Sequence, residues 1–398
     1  MLRFILILGL LDLPTYSLAE CRWRPQRKSE DKQPIFLNTG GPGFIIPKNG
    51  SVLLGDEETV RISCPNRRNH LTINSKANET VGVCVDGKLK VEEVLYDDFN
   101  ELRCNRTVLG DVLETNSSCG PADGHGLLFE IGYRAFGTFH SLIRACYDNT
   151  RGNALYSEHI IYGQSIRNAS RAKYRPSFSS QGLGPKVSAS VAYKRAFQKS
   201  TFNKILGSSV LGSEYISKKN FLTRGHHAPD ADFHFAAWQF CTYFYINASP
   251  QWNRINGGNW ATIENLVRRL AGKLARDLKV YTGTYGVLSL NDTDGNQQEM
   301  HLVRGNILPV PEYNWKLVVD EETAQAIVLL VLNNPFVNPE EVVHLCEDSC
   351  RENGWFHKSW NKTQNGAVFC CEYDRFEEAV GPLVSASLNV TGVLRGPN

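Results

Sequence analysis

Residues 221–233 read FLTRGHHAPDADF, and residues 245–270 read YINASPQWNRINGGNWATIENLVRRL. The first stretch sets Arg-Gly-His-His between an apolar start and a Pro-Asp turn. Two adjacent histidines suit a metal clamp, a catalytic base with a bystander, or a polar loop, and the surrounding residues must decide. The second stretch ends in the clearest helical pattern of the chain. Trp260, Ile263, Val267, Leu270, Leu274 and Leu278 recur at three- or four-residue steps and give one buried face. Asn247 and Asn256 stand nine residues apart, and Glu264 and Arg268, four apart, share a face of that helix.

Working outward, LKVYTGTYG (278–286), NWKLVVD (314–320) and AIVLLVL (326–332) read as strands, as does LYSEHIIYGQSI (155–166) upstream. WQFCTYFYI (238–246) is strand-like by composition, although DADFHFAAWQF before it is equally able to open a helix. The basic region up to Leu211 reads as loop-rich. Strands with few helices amount to an α+β architecture. Nearer the start, SVLLG, TVRISC and VGVCVDGKLKVEEVL are short alternating pieces between Asn, Gly and Asp turns, a small β-rich module. The turn residues of CGPADGHG (119–126) mark a boundary. The expected organisation is a signal peptide over 1–19, a cysteine-rich β module over 20–125 and a larger domain over 126–398.

The chain has 398 residues, 42% of them hydrophobic, enough to bury a large core and against disorder. Arg3, the apolar run Phe4 to Leu11, and Ser17 and Ala19 before a cleavage point form a secretory signal, too short to span a bilayer. Eleven cysteines and Asn-x-Ser/Thr acceptors at Asn49, Asn78, Asn105, Asn116, Asn168, Asn291, Asn361 and Asn389 fit an oxidising, glycosylating route out of the cell. Cys346, Cys350, Cys370 and Cys371 suit disulfides better than zinc in that compartment. Cys241, in apolar surroundings, is the natural unpaired thiol. Net charge is +2, but Arg171 to Arg224 holds eleven Lys or Arg against the single acid Glu214, with aromatic residues interleaved. That run is either a solvated face or a surface for a polyanion.

Taken together, these elements resemble the DNA/RNA non-specific endonuclease family, over roughly residues 130–380. The family's Asp-Arg-Gly-His element stands as Thr223, Arg224, Gly225 and His226, and its Asn-x-x-Pro-Gln element as Asn247 to Gln251. The following Asn, Trp and Glu fall at Asn256, Trp260 and Glu264. The paired Cys370 and Cys371 and the cysteine-rich start are most similar to secreted invertebrate members of digestive or salivary type. The resemblance implies a ββα-metal (His-Me finger) core with a central mixed or antiparallel sheet and flanking helices. It also implies phosphodiester cleavage of DNA and/or RNA, 5'-phosphate products and an upstream arginine against the phosphate, for which Arg171 and Arg175 are both candidates.

The chemistry agrees with the residue types. A neutral imidazole takes a proton from water near neutral pH, which assigns the general base to His226. A hard cation with an amide oxygen ligand suits magnesium, with manganese as a substitute, and assigns metal binding to Asn256. Arg224, Glu264, Arg268 and Asn247 complete the expected catalytic set, Glu264 holding a metal-bound water or orienting Asn256. Arg269 and Lys273, with Arg276, form a basic stripe able to track phosphates. His227 is a bystander, and Asp230 and Asp232 read as turn and cap residues. The expected partner is nucleic acid, with no membrane and no protein partner. Two features depart from the family pattern. Thr223 replaces a carboxylate near the metal, and Asn247-Ala-Ser249 is formally a glycosylation acceptor inside the site, expected to stay unmodified. The rival reading is a secreted binder of polyanions whose metal site has decayed.

Overall fold

The computed structural model describes the chain apart from residues 1–19, 26–27, 30–31, 42, 74–76, 122–124, 185–186, 383 and 385–387. The expected signal peptide lies outside the described residues. The alternating N-terminal pieces form five antiparallel strands: β1 (Ile35–Asn38), β2 (Thr59–Ser63), β3 (Glu79–Val85), β4 (Lys88–Val91) and β5 (Val94–Tyr96), hydrogen-bonded in that order. Disulfides Cys21–Cys84 and Cys64–Cys104 staple this module.

In a second, larger sheet β6 (Asp111–Cys119) pairs with β7 (Gly126–Ala135), one strand on each side of the expected boundary at residue 125. β8 (Thr138–Asp148) and β9 (Asn153–Ile161) follow, and Cys119–Cys146 ties β6 to β8. β10 (Leu222–His226) and β11 (Ala248–Trp252) form a separate antiparallel pair. The large sheet resumes with β12 (Leu278–Tyr285), β13 (Tyr313–Asp320), β14 (Gln325–Leu332) and β15 (Val368–Cys371). Its order is β15-β14-β13-β12-β9-β8-β7-β6, antiparallel throughout, with Gly392–Val393 added parallel to β14. All of β13 and nearly all of β14 are buried; β14 reads as an unbroken apolar run from Ala326 to Leu332, while β13 buries Asn314, Lys316 and Asp320 among its apolar residues.

The helices are α1 (Arg195–Ile205), α2 (Ser209–Tyr215), α3 (Ala236–Phe240), α4 (Ala261–Leu274) and α5 (Tyr373–Val380). α4 buries Ile263, Leu266, Val267, Leu270 and Ala271 in the cluster that holds Val280, Val318 and Leu329 of the sheet. α5 covers the opposite face, with Phe376 against Trp315 at 5.8 Å. Two expectations are corrected. The basic region is helical, because α1 buries Gln198, Thr201 and Phe202 on one side, and its polar members hide the helical period. WQFCTYFYI is not a strand: α3 ends at Phe240 and turns follow. That segment is buried throughout, so periodicity has no exposed face to reveal.

The two sheets share a core. Trp23 stacks on Phe235 at 5.4 Å, and Phe44 meets Trp238 edge-on at 5.1 Å. Cys241 is the free cysteine, buried, with burial pushing its thiol up to about 12. Cys346–Cys371 and Cys350–Cys370 are disulfides, as expected over zinc.

Candidate active site

Strand β10 is fixed from both sides. Gln198 of α1 exchanges hydrogen bonds with the Leu222 backbone, accepting from its N–H at 2.9 Å and donating to its carbonyl at 2.8 Å. On the other edge the register sets Thr223 opposite Gln251, Gly225 opposite Ser249 and His226 opposite Ala248. A side chain at Gly225 would collide with the Gln251 carboxamide, so the glycine lets the paired strands close. Successive residues of a strand face opposite ways. Arg224 and His226 accordingly share a wall: Phe178 lies 5.0 Å from the His226 ring and 5.3 Å from the Arg224 guanidinium.

His226 is half-buried, edge-on to Tyr243 at 5.2 Å. Its Nε2 is enclosed without a partner. Burial pushes the imidazole down to about 4, Asp230 pulls it back up, and Arg175 and Arg224 add to the push. It is therefore neutral at physiological pH. Arg224 donates to the Tyr245 hydroxyl at 3.3 Å and sits over Phe178, Tyr193 and Tyr245, its Nε enclosed and unpartnered. Arg175 reaches Asp230 at 3.4 Å, and Asp230 accepts from the Tyr243 hydroxyl at 2.7 Å. Arg175, Asp230 and Tyr243 line a cleft of about 410 Å³ together with Arg171, Asn265 and Arg268.

Asn256 meets β10 at Thr223. It lies in a kinked turn before α4, with Gly258 at φ −104° and ψ −117°. Its Nδ2 donates to Thr223 Oγ1 at 3.1 Å, and that hydroxyl donates to the Gln251 carbonyl at 2.9 Å. No described donor reaches Asn256 Oδ1, so a carboxamide oxygen stays available. Glu264 is half-buried with no hydrogen bond among the described residues. Burial raises its carboxyl to about 7 against the pull of Lys316 and Arg268. An unclaimed amide oxygen and an uncommitted carboxyl are the hard donors that fit a divalent cation keeping most of its water. The described group with closest metal-ligand spacing, Asp348, Cys350 and Cys370, is spent, because its cysteines are disulfide-bonded to each other.

Beneath the site runs a charge network that sequence reading missed. Asp232, expected as a cap, accepts from His159 Nε2 at 2.8 Å and pairs with Arg268 at 2.6 Å. Burial alone would raise its carboxyl, but Arg268, the His159 hydrogen bond and Lys316 bring it down to about 2. Lys316 is buried, donates to Thr282 Oγ1 and lies 5.3 Å from the Trp260 ring. A lone lysine inside the apolar run NWKLVVD was the available signal.

The structure redistributes several expected roles. Arg268 lines the cleft, but its fork closes on Asp232 and, at 2.7 Å, on Asn265. Arg269 donates to Asn398 at 3.4 Å, Lys273 to the Pro397 carbonyl at 3.2 Å, and Arg276 pairs with Asp320 at 2.7 Å. The expected phosphate-tracking stripe is thus occupied by the C-terminal residues and β13. Asn247 is fully buried: its Nδ2 donates to the carbonyls of Ala228 and Thr242, and its Oδ1 accepts from Ala228 N at 3.0 Å. It holds the turn after β10 and offers no free atom to a substrate. His227 is likewise buried, with Nε2 at 3.2 Å from Ser249 Oγ.

The sequence profile of the DNA/RNA non-specific endonuclease family matches residues 126–384. The chain belongs to that family. Among curated relatives of this endonuclease-family chain, a salivary endonuclease of Lutzomyia longipalpis is 32% identical over 367 residues, covering 88% of this chain and 81% of its own. A salivary endonuclease of Culex quinquefasciatus is 27% identical, with 88% and 86% covered. A salivary protein of Glossina morsitans morsitans is also 27% identical, with 95% of both covered. A solved EndoG/EndoGI complex aligns over 69% of this chain and 91% of its own, at 17% identity and a TM-score of 0.41. The nuclease's ββα core is β10, β11 and α4, with His226 ending the first strand and Asn256 leading into the helix.

Proposed function

We propose that this nuclease is a secreted, magnesium-dependent endonuclease that cuts DNA and RNA backbones with little base preference and leaves 5'-phosphates. The observation that carries the reading is the neutral His226 imidazole, held between Phe178 and Tyr243 beside Arg224 and Arg175. His226 accepts a proton from water as its oxygen attacks phosphorus, and the bond to the 3' oxygen breaks. Arg224, gripped by three aromatic rings, and Arg175 offer donors to the non-bridging oxygens. Asn256 Oδ1 and, through water, Glu264 would hold magnesium, or manganese in its place, which would supply charge compensation for the five-coordinate state and the leaving oxygen. Five disulfides and salivary relatives support an exported protein, and no described helix is long and apolar enough to cross a membrane.

Backbone contacts without a base-reading element account for low sequence preference. The test is digestion of plasmid and of duplex RNA with magnesium, with and without chelator, by the parent, His226→Ala and Asn256→Ala proteins. Cleavage by the parent alone, abolished by chelator, is expected. A His226→Ala protein that cuts as fast as the parent sinks the assignment of the base. Salt-sensitive binding without cleavage under any divalent cation supports the polyanion-binding alternative instead.

A further inference from the structure

A second groove, of about 770 Å³, lies where the N-terminal module meets the nuclease domain. The module supplies Asn66, Arg67 and Arg106 to it, and the nuclease domain supplies Tyr174, Phe240 and Tyr243. Those last three also line the cleft beside Asp230, so the two depressions adjoin along shared residues, and the Tyr243 ring meets that of His226. No carboxylate lines the groove. Arg67 and Arg106 are exposed and form no ion pair among the described residues.

The arginines are displayed on a braced surface. Asn66 donates to the Leu109 carbonyl at 2.8 Å and accepts from Leu109 N at 3.0 Å, while Asn69 Oδ1 accepts from Arg106 N at 3.0 Å. The Cys64–Cys104 disulfide clamps the same two segments. The module as a whole is locked to the nuclease domain through Trp23 on Phe235 and Phe44 on Trp238. The spacing from these guanidinium groups to His226 is therefore set by packed aromatic core, not by a linker. At the junction Tyr174 is 50% exposed, its ring braced edge-on by Phe240 at 6.1 Å, a flat face free to stack on a base.

We propose that the N-terminal module forms part of the substrate surface: Arg67 and Arg106 bind phosphates of the nucleic-acid strand beyond the cleaved bond, with Tyr174 stacking at the junction. The proposal rests on the nuclease reading. It gives the module a role in affinity for long substrates, because unpaired guanidinium groups in a carboxylate-free groove recognise the regular phosphate array. Asn105, a glycosylation acceptor, neighbours Arg106 but does not line the groove, and its Oδ1 accepts from His70 N at 2.9 Å.

The experiment uses the full glycoprotein and an Asn105→Gln version, each with and without Arg67→Ala plus Arg106→Ala. Cleavage of plasmid and of an oligonucleotide too short to leave the His226 cleft is measured across a salt series. With the double substitution, KM for plasmid is expected to rise about tenfold with kcat kept, and the salt dependence of log KM to flatten by about two. The short oligonucleotide loses nothing, Arg67→Lys plus Arg106→Lys recovers most of the plasmid KM, and Tyr174→Ala weakens plasmid binding without flattening the salt slope. Equal effects on both substrates, or none on plasmid, overturn the proposal. So does a loss of heparin binding with unchanged plasmid KM, which would assign the groove to another polyanion. If the parent cuts nothing, the nuclease reading fails, and fluorescence anisotropy with a long duplex then decides the groove: unchanged affinity in the double variant rejects it.

Discussion

Asn256 Nδ2 donates to the Thr223 hydroxyl at 3.1 Å, across a strand position where the family pattern carries a carboxylate. Because that hydroxyl donates onward to the Gln251 carbonyl, it has a lone pair and not a proton to offer, which fixes the carboxamide flip. The oxygen of Asn256 is thereby turned away from Thr223. Thr223 thus orients the metal-binding group of the proposed mechanism, where the sequence alone marked it as a lost acid. Partners that orient a ligand are typically worth about 10–100-fold in metal affinity or activity. Thr223→Val, similar in shape but without the hydroxyl, is expected to lower the rate and raise the magnesium concentration for half-maximal activity by about that factor. Thr223→Asp should keep the orienting acceptor and lower the magnesium requirement. A magnesium titration of initial rates checks both.

Asp232 joins His159 and Arg268 in a buried triad whose Asp232 side chain is 2% exposed. Removing one member of such a group leaves the others charged or unpaired, at a cost of about 3–5 kcal/mol. Asp232→Ala is expected to lose stability on that scale, seen as a lower urea midpoint with unchanged slope. Arg268→Met plus Asp232→Leu, which removes both members of the ion pair, should lose less than Asp232→Ala alone.

The contrast between α4 and this triad shows what the chain makes readable. α4 announces itself through a local period, and β14 through an unbroken apolar run, because burial on one or both faces constrains consecutive residues. His226 and Asn256 stand out through motif spacing. Asp232 does not: its partners His159 and Arg268 lie 73 and 36 residues away, and the Pro-Asp-Ala-Asp turn that it does help form gave a sufficient local account. The contacts of Arg269 with Asn398 and of Lys273 with Pro397 were unreadable for the same reason, since they arise from the far end of the chain.

Asn247 carries the acceptor sequence for glycosylation, yet its Nδ2 already donates to two carbonyls in a fully buried pocket, at 2.9 Å to Ala228 and 3.0 Å to Thr242. A glycan on that nitrogen would remove donor capacity and require space that the turn after β10 lacks. Peptide mass spectrometry of the secreted protein should find Asn247 unmodified. Asn247→Asp, which replaces a donor by a charged acceptor facing carbonyls, should lower stability by about 1–3 kcal/mol or more and reduce activity with it.

His226 and His227 lie side by side with their imidazoles pushed from 6.5 down to about 4 and about 3, chiefly by burial. The unfolded chain takes up these protons near 6.5 and the folded chain only at lower pH. Their contribution to stability is therefore fully present above pH 6.5 and is lost as pH falls toward 4 and then 3. Glu264 acts oppositely. Its carboxyl is raised from 4.5 to about 7, so in metal-free protein its contribution is present below 4.5 and lost as pH rises through 7. Two histidines outweigh one carboxyl between pH 6.5 and 4.5, so Glu264 cancels only about half of their loss there, and below 4.5 the histidines act unopposed. In chelator, urea midpoints should fall steadily from pH 6.5 to 4.5 and continue to fall toward 3. His227→Gln, which keeps a polar group near Ser249 but does not titrate, should be less stable than the parent at pH 7, with the gap closing as pH falls. A gap that stays constant down to pH 3 would mean that His227 is already charged in the folded protein.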